Sequence, residues 1–235
     1  MTTRWITIAG RKGGVGKSSC ALALASYYVR DGKSVLIVDL DPQGSASIAF
    51  GVPEPTGKEL RAVLQGEAQP ILTNRTDHQF RPLDQSLHLL EGGPALHDCP
   101  DALPLRSVLE DVMQDIVIID CPPGHANLDR LAIQAADILL ACCECHRMAV
   151  AGASRVIEEA KVTDPAPRCA LVLGRVDVRR GLDLAAPELL AGALNVPVMS
   201  IRQDSVLSQA LNAGQLPPGH GRAAEDIAKI AAWIG

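Results

Sequence analysis

Between an apolar stretch, Trp5-Ile6-Thr7-Ile8-Ala9, and a helical pattern running from about Lys17 through Ala21, Leu22, Leu24, Ala25 and Tyr28 to Gly32 lies the segment Gly10-Arg11-Lys12-Gly13-Gly14-Val15-Gly16-Lys17-Ser18. A strand, a glycine-rich turn and a helix in that order constrain the fold more than anything else in the chain. The glycines let successive backbone N–H groups turn toward one anion, and the helix N-terminus adds positive potential. Lys17 then reaches the outer phosphates of a nucleoside triphosphate, and Ser18 is placed to hold Mg2+.

The ordinary phosphate-loop spacing requires glycine five residues before Gly16, where this chain has Arg11, so the strict pattern fails. The deviant form Lys-Gly-Gly-x-Gly-Lys-Ser/Thr fits, with Lys12 as its additional lysine. Residues Lys12, Gly13, Gly14, Val15, Gly16, Lys17, Ser18 and Ser19 are the expected nucleotide contact.

Two further apolar runs deliver carboxylates. Ser34-Val35-Leu36-Ile37-Val38 ends in Asp39-Leu40-Asp41-Pro42-Gln43-Gly44, and Ile116-Val117-Ile118-Ile119 ends in Asp120-Cys121-Pro122-Pro123-Gly124. Short apolar runs of this kind are typical of buried parallel strands, and ligands of open α/β sheets bind beyond the C-terminal strand ends. Four apolar residues closed by Asp120 are the usual form of a carboxylate that holds Mg2+ directly or through water. Further strands are predicted at 87–90, 138–141, 170–173 and near 198–200. Helices are predicted at about 103–114, 127–136, 149–162, 183–192, 205–213 and 222–234. Alternating strands and helices predict an α/β fold, a doubly wound, mainly parallel sheet flanked by helices, and residues 1–235 read as one domain.

The 235-residue chain is 47% hydrophobic but has only two each of Trp, Tyr and Phe, so its core is aliphatic. No apolar run approaches a membrane span, and the N-terminus lacks the pattern of a leader; a cytoplasmic protein is expected. Seven cysteines without the spacing of a disulfide framework are expected to be thiols. A net charge of −5 gives no overall attraction to nucleic acid, so any DNA contact needs a local basic patch. Its candidates are Arg179, Arg180, Arg202 and the stretch from Arg222 to Lys229.

Lys-Gly-Gly-Val-Gly-Lys-Ser at 12–18, Asp-Leu-Asp-Pro-Gln-Gly at 39–44 and Ile-Ile-Asp-Cys-Pro-Pro-Gly at 118–124 resemble the ParA-type partition ATPases, within the deviant Walker A group that includes the MinD-type cell-division ATPases. Weaker similarity runs through 87–92, 176–179 and 201–210. The resemblance implies a homodimer sandwiching ATP, with Lys17 and Ser18 acting in cis and Lys12 reaching the partner's nucleotide. Asp41 would orient the attacking water, and Asp39 and Asp120 would tune the magnesium shell. Arg175, following Gly174, occupies a position where many relatives place Asn or Thr near the base. The chain begins directly at the ATPase, so the resemblance is to short forms without an N-terminal helix-turn-helix. Those act in plasmid or chromosome partition, or in positioning other cargo. Nonspecific DNA of the nucleoid and a ParB-like or cargo adaptor are the implied partners. Where chromosomal relatives carry a DNA-contacting arginine, this chain has Val206.

Two alternatives accompany that reading. The run Cys142-Cys143-Glu144-Cys145-His146 is similar to the interface cysteines of nickel-insertion ATPases and nitrogenase iron protein, which implies a metallochaperone with thiolates shared across a dimer. A MinD-like protein would end in a basic amphipathic helix lying on membranes. Lys229 is the only lysine in the last predicted helix, so packing against the core is expected instead, with no membrane partner.

Overall fold

The computed structural model describes residues 3–74, 86–99, 102–180, 186–188, 190, 191 and 194–235. Among them an eight-stranded sheet runs in the order β3-β4-β2-β5-β1-β6-β7-β8. Its strands are β1 (Arg4–Ala9), β2 (Val35–Asp39), β3 (Thr73–Asn74), β4 (Leu87–Leu90), β5 (Ile116–Asp120), β6 (Ile138–Cys143), β7 (Arg168–Val176) and β8 (Val198–Arg202). Neighbours are parallel throughout except the two-residue β3, which adds antiparallel to β4.

Every residue of β2, β5 and β6 is buried, which is what helices on both faces require and why these strands read as unbroken apolar runs. One face packs against α1 (Lys17–Arg30) and the final helix, Arg222–Ile234. The other carries α3 (Lys58–Leu64), α4 (Leu105–Val108), α5 (Ala126–Ala135) and α6 (Arg147–Lys161). Ile6 and Ile8 belong to the first core, Leu36 and Val38 to the second, and all four are fully buried. Each such side chain contributes roughly 1.5–3 kcal/mol by leaving water.

The chain leaves β1 through α1 on one face to reach β2, and leaves β5 through α5 on the other face to reach β6. The strand order therefore reverses around β1 and β5, opening a crevice at their C-terminal ends. Asp39 pairs with Asp120, and Asp120 with Ile8, so the ends of β2, β5 and β1 lie abreast.

Some elements differ from the sequence expectations. The helix expected over 103–114 shrinks to Leu105–Val108, because Asp115 is pulled toward β2 by hydrogen bonds from the Ser34 backbone and hydroxyl, both 2.8 Å, and the intervening chain must turn. The short α2 (Ser45–Phe50) and α3 were not anticipated. The helix expected over 183–192 falls largely on residues outside those described. No helix among the described residues is long and apolar enough to cross a membrane. Ile227, Ile230 and Ile234 of the final helix are buried against α1 and β8 rather than presented outward.

Candidate functional site

A cavity of about 830 Å³ opens over the β1–α1 turn. Gly14 (φ 76°) and Gly16 (φ 97°) both adopt the left-handed conformation that glycine alone enters without cost, which curls the turn before α1 begins. Nothing stands within 4 Å of where their side chains would be, so the exposed face of the turn is open to a ligand. Gly13, Gly14, Gly16, Lys17, Ser18 and Ser19 line the cavity. Val15 does not: it is buried among α1 and strand residues, where it anchors the turn and leaves only its backbone for a ligand.

Lys17 is 6% exposed, and its Nζ lies 3.4 Å from the carbonyl of Lys12. This weak bond spans the turn and is readily exchanged for phosphate oxygens. Behind Ser18, Asp120 is fully buried with neither carboxylate oxygen hydrogen-bonded. Burial, and then the charge of Asp39, push its carboxyl well above the usual carboxylate range, against the opposing pull of Ser18 and Lys17. An orphaned buried carboxylate beside a hydroxyl is the donor set of a hard cation, so Ser18 and Asp120 fit Mg2+.

Asp39 is equally buried but its oxygens are engaged. One accepts from the Asp41 backbone at 3.0 Å, and the other from the Ser47 backbone and hydroxyl at 2.8 and 2.7 Å. The Ser47 hydroxyl in turn accepts from the Gly92 backbone at 2.9 Å. Burial raises the Asp39 carboxyl while these bonds hold it down. Asp39 thus braces the loop that carries Asp41, and this geometry favours Asp120 over Asp39 for a direct cation contact. Asp41 lines the cavity and accepts from the Gln43 backbone at 2.8 Å, leaving its other carboxylate oxygen with no bond to this loop.

Arg175 lines the opposite wall. It adopts φ 57°, uncommon for a residue with a side chain, at the irregular end of β7, and its Nη1 donates to the Gly14 carbonyl at 3.2 Å. Gly174 before it has to be glycine, since a Cβ there would lie 2.2 Å from the Val15 carbonyl oxygen. Arg175 therefore grips the phosphate turn itself. Farther along, Ile48, Gln203, Leu207 and Ser208 line a mixed apolar and polar end of the cavity.

Lys12 stands outside the cavity lining. Its side chain is 57% exposed and its Nζ pairs with Glu144 at 2.8 Å. The same carboxylate oxygen lies 3.5 Å from His146 Nε2, while His146 Nδ1 accepts from the Ala149 backbone and caps α6. Lys12 draws the Glu144 carboxyl below its usual range. Arg11 is exposed, pairs with Glu159 and faces Asp129.

Of the cysteines in the metal-handling alternative, the structure parts Cys142 from Cys143 and leaves Cys145 on the Cys143 side of the sheet. Adjacent strand residues point to opposite faces, so Cys142 packs with α1 while Cys143 packs with α6, and both are buried. A hydrogen bond with Cys20, and then burial, raise the Cys142 thiol; burial pushes Cys143 up to about 12. Neither is set up as a thiolate ligand, and no group of three His, Cys, Asp or Glu among the described residues is arranged to hold a metal. Arg202 likewise leaves the list of DNA-facing candidates, because Asp226 holds it at 2.8 and 2.9 Å and Glu225 at 2.7 Å.

The Asp120 geometry gives a direct expectation. Its raised carboxyl means that the nucleotide-free fold binds more protons than the unfolded chain above the ordinary carboxylate range, so this group's contribution to stability falls as pH rises through that range. Asp120→Asn removes the unpaired charge. The neutral amide still leaves polar atoms unpartnered there, so the nucleotide-free protein at pH 7.5 should gain only about 1 kcal/mol. That corresponds to roughly 2–4 °C of melting temperature per kcal/mol, while Mg2+ with nucleotide should stabilise the variant less than the parent. Melting curves at pH 5 and 7.5 measure both.

A protein-family model described as AAA domain matches residues 3–166. The chromosome-partitioning ATPase Soj of Thermus thermophilus is 37% identical over 161 residues, a match covering 67% of this chain and 63% of that protein. The chain thus spans less than two thirds of that relative's length. Among solved structures, the septum site-determining protein MinD of Pyrococcus horikoshii, complexed with Mg-ADP, superposes with a TM-score of 0.80 at 22% identity, covering 99% of this chain and 96% of that one. Cobyrinic acid a,c-diamide synthase of Mycobacterium smegmatis, with an ATP analogue and magnesium, gives 0.80 at 24% identity, covering 99% and 94%. These two likenesses establish the P-loop fold and no more.

Proposed function

Because the chain belongs to the ParA-type partition ATPase family, we propose that it hydrolyses ATP in a cycle of dimerisation that partitions a plasmid or chromosome or positions another cargo. The observation that carries this reading is the contrast between the two lysines. Lys17 is sequestered in the cavity of its own subunit, while Lys12 stands exposed at the rim, where a second copy's nucleotide can meet it.

In this reading Lys17 and the turn amides bind the phosphates, Ser19 and Arg175 complete the wall, and Ser18 and Asp120 hold Mg2+. When bound, the cation neutralises charge between the outer phosphates. Asp41 orients the attacking water with its unbraced oxygen, and Asp39 fixes the loop from which Asp41 projects. Phosphoryl transfer depends chiefly on positioning and charge neutralisation, so a lysine supplied by the partner makes turnover conditional on the dimer. Lys12 must leave Glu144 to act. That exchange costs little, since exposed ion pairs are worth about 0.2–1 kcal/mol.

The dimer with ATP binds nonspecific DNA of the nucleoid, and a ParB-like or cargo adaptor stimulates hydrolysis and releases it. The protein works in the cytoplasm. The buried apolar face of the final helix disfavours the membrane alternative. Sedimentation with a non-hydrolysable ATP analogue and Mg2+, together with DNA binding under ATP and ADP at 50 and 200 mM salt, tests this. A dimer only with the analogue, and DNA binding that is ATP-selective and weakens steeply with salt, are expected. A subunit that stays single when saturated with analogue overturns the reading.

A further inference from the structure

We infer that Arg11 is a positioning residue, a clamp that fixes Lys12 relative to the Asp120–Gly124 turn. The inference rests on the function proposed above for Lys12, and it begins from the one place where this phosphate turn departs from the ordinary pattern.

Arg11 bridges two helices. Its Nη2 is hydrogen-bonded to Glu159 Oε1 on α6, and its Nη1 lies 3.9 Å from Asp129 Oδ2 on α5. The second contact is electrostatic rather than a hydrogen bond, but Asp129 is 6% exposed and its Oδ1 has no hydrogen-bond partner, so its charge is poorly screened. Burial lifts the Asp129 carboxyl to about 6 while Arg11 pulls it down. A Cβ at Gly152 on α6 would lie 3.5 Å from the Arg11 Cβ, so the helix passes directly beneath the aliphatic stem.

These attachments join parts that have to agree during hydrolysis. The helix α5 follows the Pro122-Pro123-Gly124 turn, which closes over the loop: a Cβ at Gly124 would lie 3.8 Å from the Arg11 carbonyl oxygen, and one at Gly13 would lie 3.9 Å from Pro123. The helix α6 begins just after Glu144, the group that holds Lys12, and is capped by His146. Arg11 therefore ties the backbone preceding Lys12 to α5, which follows the Pro122-Pro123-Gly124 turn, and to α6, which follows Glu144. On the opposite side Arg175 holds Gly14, so the turn is pinned at both flanks while its central amides remain open. Preorganisation of this kind speeds a reaction by removing misplaced geometries and adds little to ground-state binding.

Arg11→Ala, Arg11→Lys and Glu159→Gln test it. In Arg11→Ala, kcat should fall roughly tenfold with KM for ATP and the affinity of the single subunit for a fluorescent ADP within about twofold of the parent. Arg11→Lys, keeping one charge but not two-way bridging, should recover part of the loss, and Glu159→Gln should fall between. Amide hydrogen exchange of the nucleotide-free protein supplies a readout that needs no turnover. Segments 10–18 and 121–126 should exchange about threefold faster or more in Arg11→Ala, with β7 and β8 unchanged. Unchanged exchange in those two segments overturns the clamp, as does a loss of ADP affinity parallel to kcat. A parent protein without ATP turnover would instead sink the proposed function, and the exchange comparison would still decide the clamp.

Discussion

Lys17→Ala abolishes triphosphate binding while leaving the fold intact. The ammonium is almost completely removed from water and rests on a single long contact to the Lys12 carbonyl, so it is poorly satisfied until an anion arrives. Phosphate oxygens turn it into a charge-assisted partner in a sheltered site, and deleting one member of such a pair costs about 2–5 kcal/mol or more. The expected loss of affinity is on the order of 100-fold or greater. Titration with a fluorescent ATP analogue measures it, and circular dichroism with thermal melting checks the fold. The alanine variant also strips Asp120 of a neighbouring positive charge, so it should melt slightly below the parent without nucleotide. If Lys17→Ala binds ATP within tenfold of the parent, the cavity over the β1–α1 turn is not where the triphosphate sits.

What the sequence disclosed and what it hid follow from the range of the interactions involved. The phosphate turn was legible because glycine spacing, the preceding apolar run and the helical pattern after it are all local. The same holds for β2 and β5, whose unbroken apolar residues end in carboxylates. The partners of those carboxylates were not legible. Asp39 is committed by Ser47, eight residues on and in a helix too short to show a period. Lys12 finds Glu144 at a separation of 132 residues, and Arg11 finds Glu159 at 148. Only the fold brings such pairs together, and the spacing of either residue carries no signal of it. The cysteine run differs, because its signal was present. A strand stopped at Ala141 leaves Cys142 and Cys143 free to converge, whereas two more residues of β6 send them to opposite faces. Arg175 was placed near the base by resemblance, and its grip on Gly14 depends on an irregularity in β7 that no periodicity announces.

Lys12→Ala and Asp41→Ala should fail in opposite ways, and the opposition separates binding from timing. Lys12 lies outside the cavity lining, so its loss should leave the affinity of one subunit for ATP within about twofold. The dimer loses a cation that would face its partner's outer phosphates. Supplying such a charge in trans to a phosphoryl-transfer site is worth about 10³–10⁵ in rate where an arginine does it, and a lysine in that position should account for a substantial part. Turnover should therefore drop by about 10² or more and lose its dependence on protein concentration. Asp41→Ala leaves both lysines in place and removes the carboxylate proposed to orient the attacking water, so the dimer should form with ATP and persist. Its bound ATP should remain intact for many parental turnover times in a rapid-quench assay. Sedimentation beside turnover gives the pattern: Lys12→Ala single and slow, Asp41→Ala paired and slow. Equal turnover in Asp41→Ala and the parent would remove Asp41 from the role of orienting water. A Lys12→Ala protein whose activity still rises with its own concentration would show that the rim lysine does not serve the neighbouring subunit.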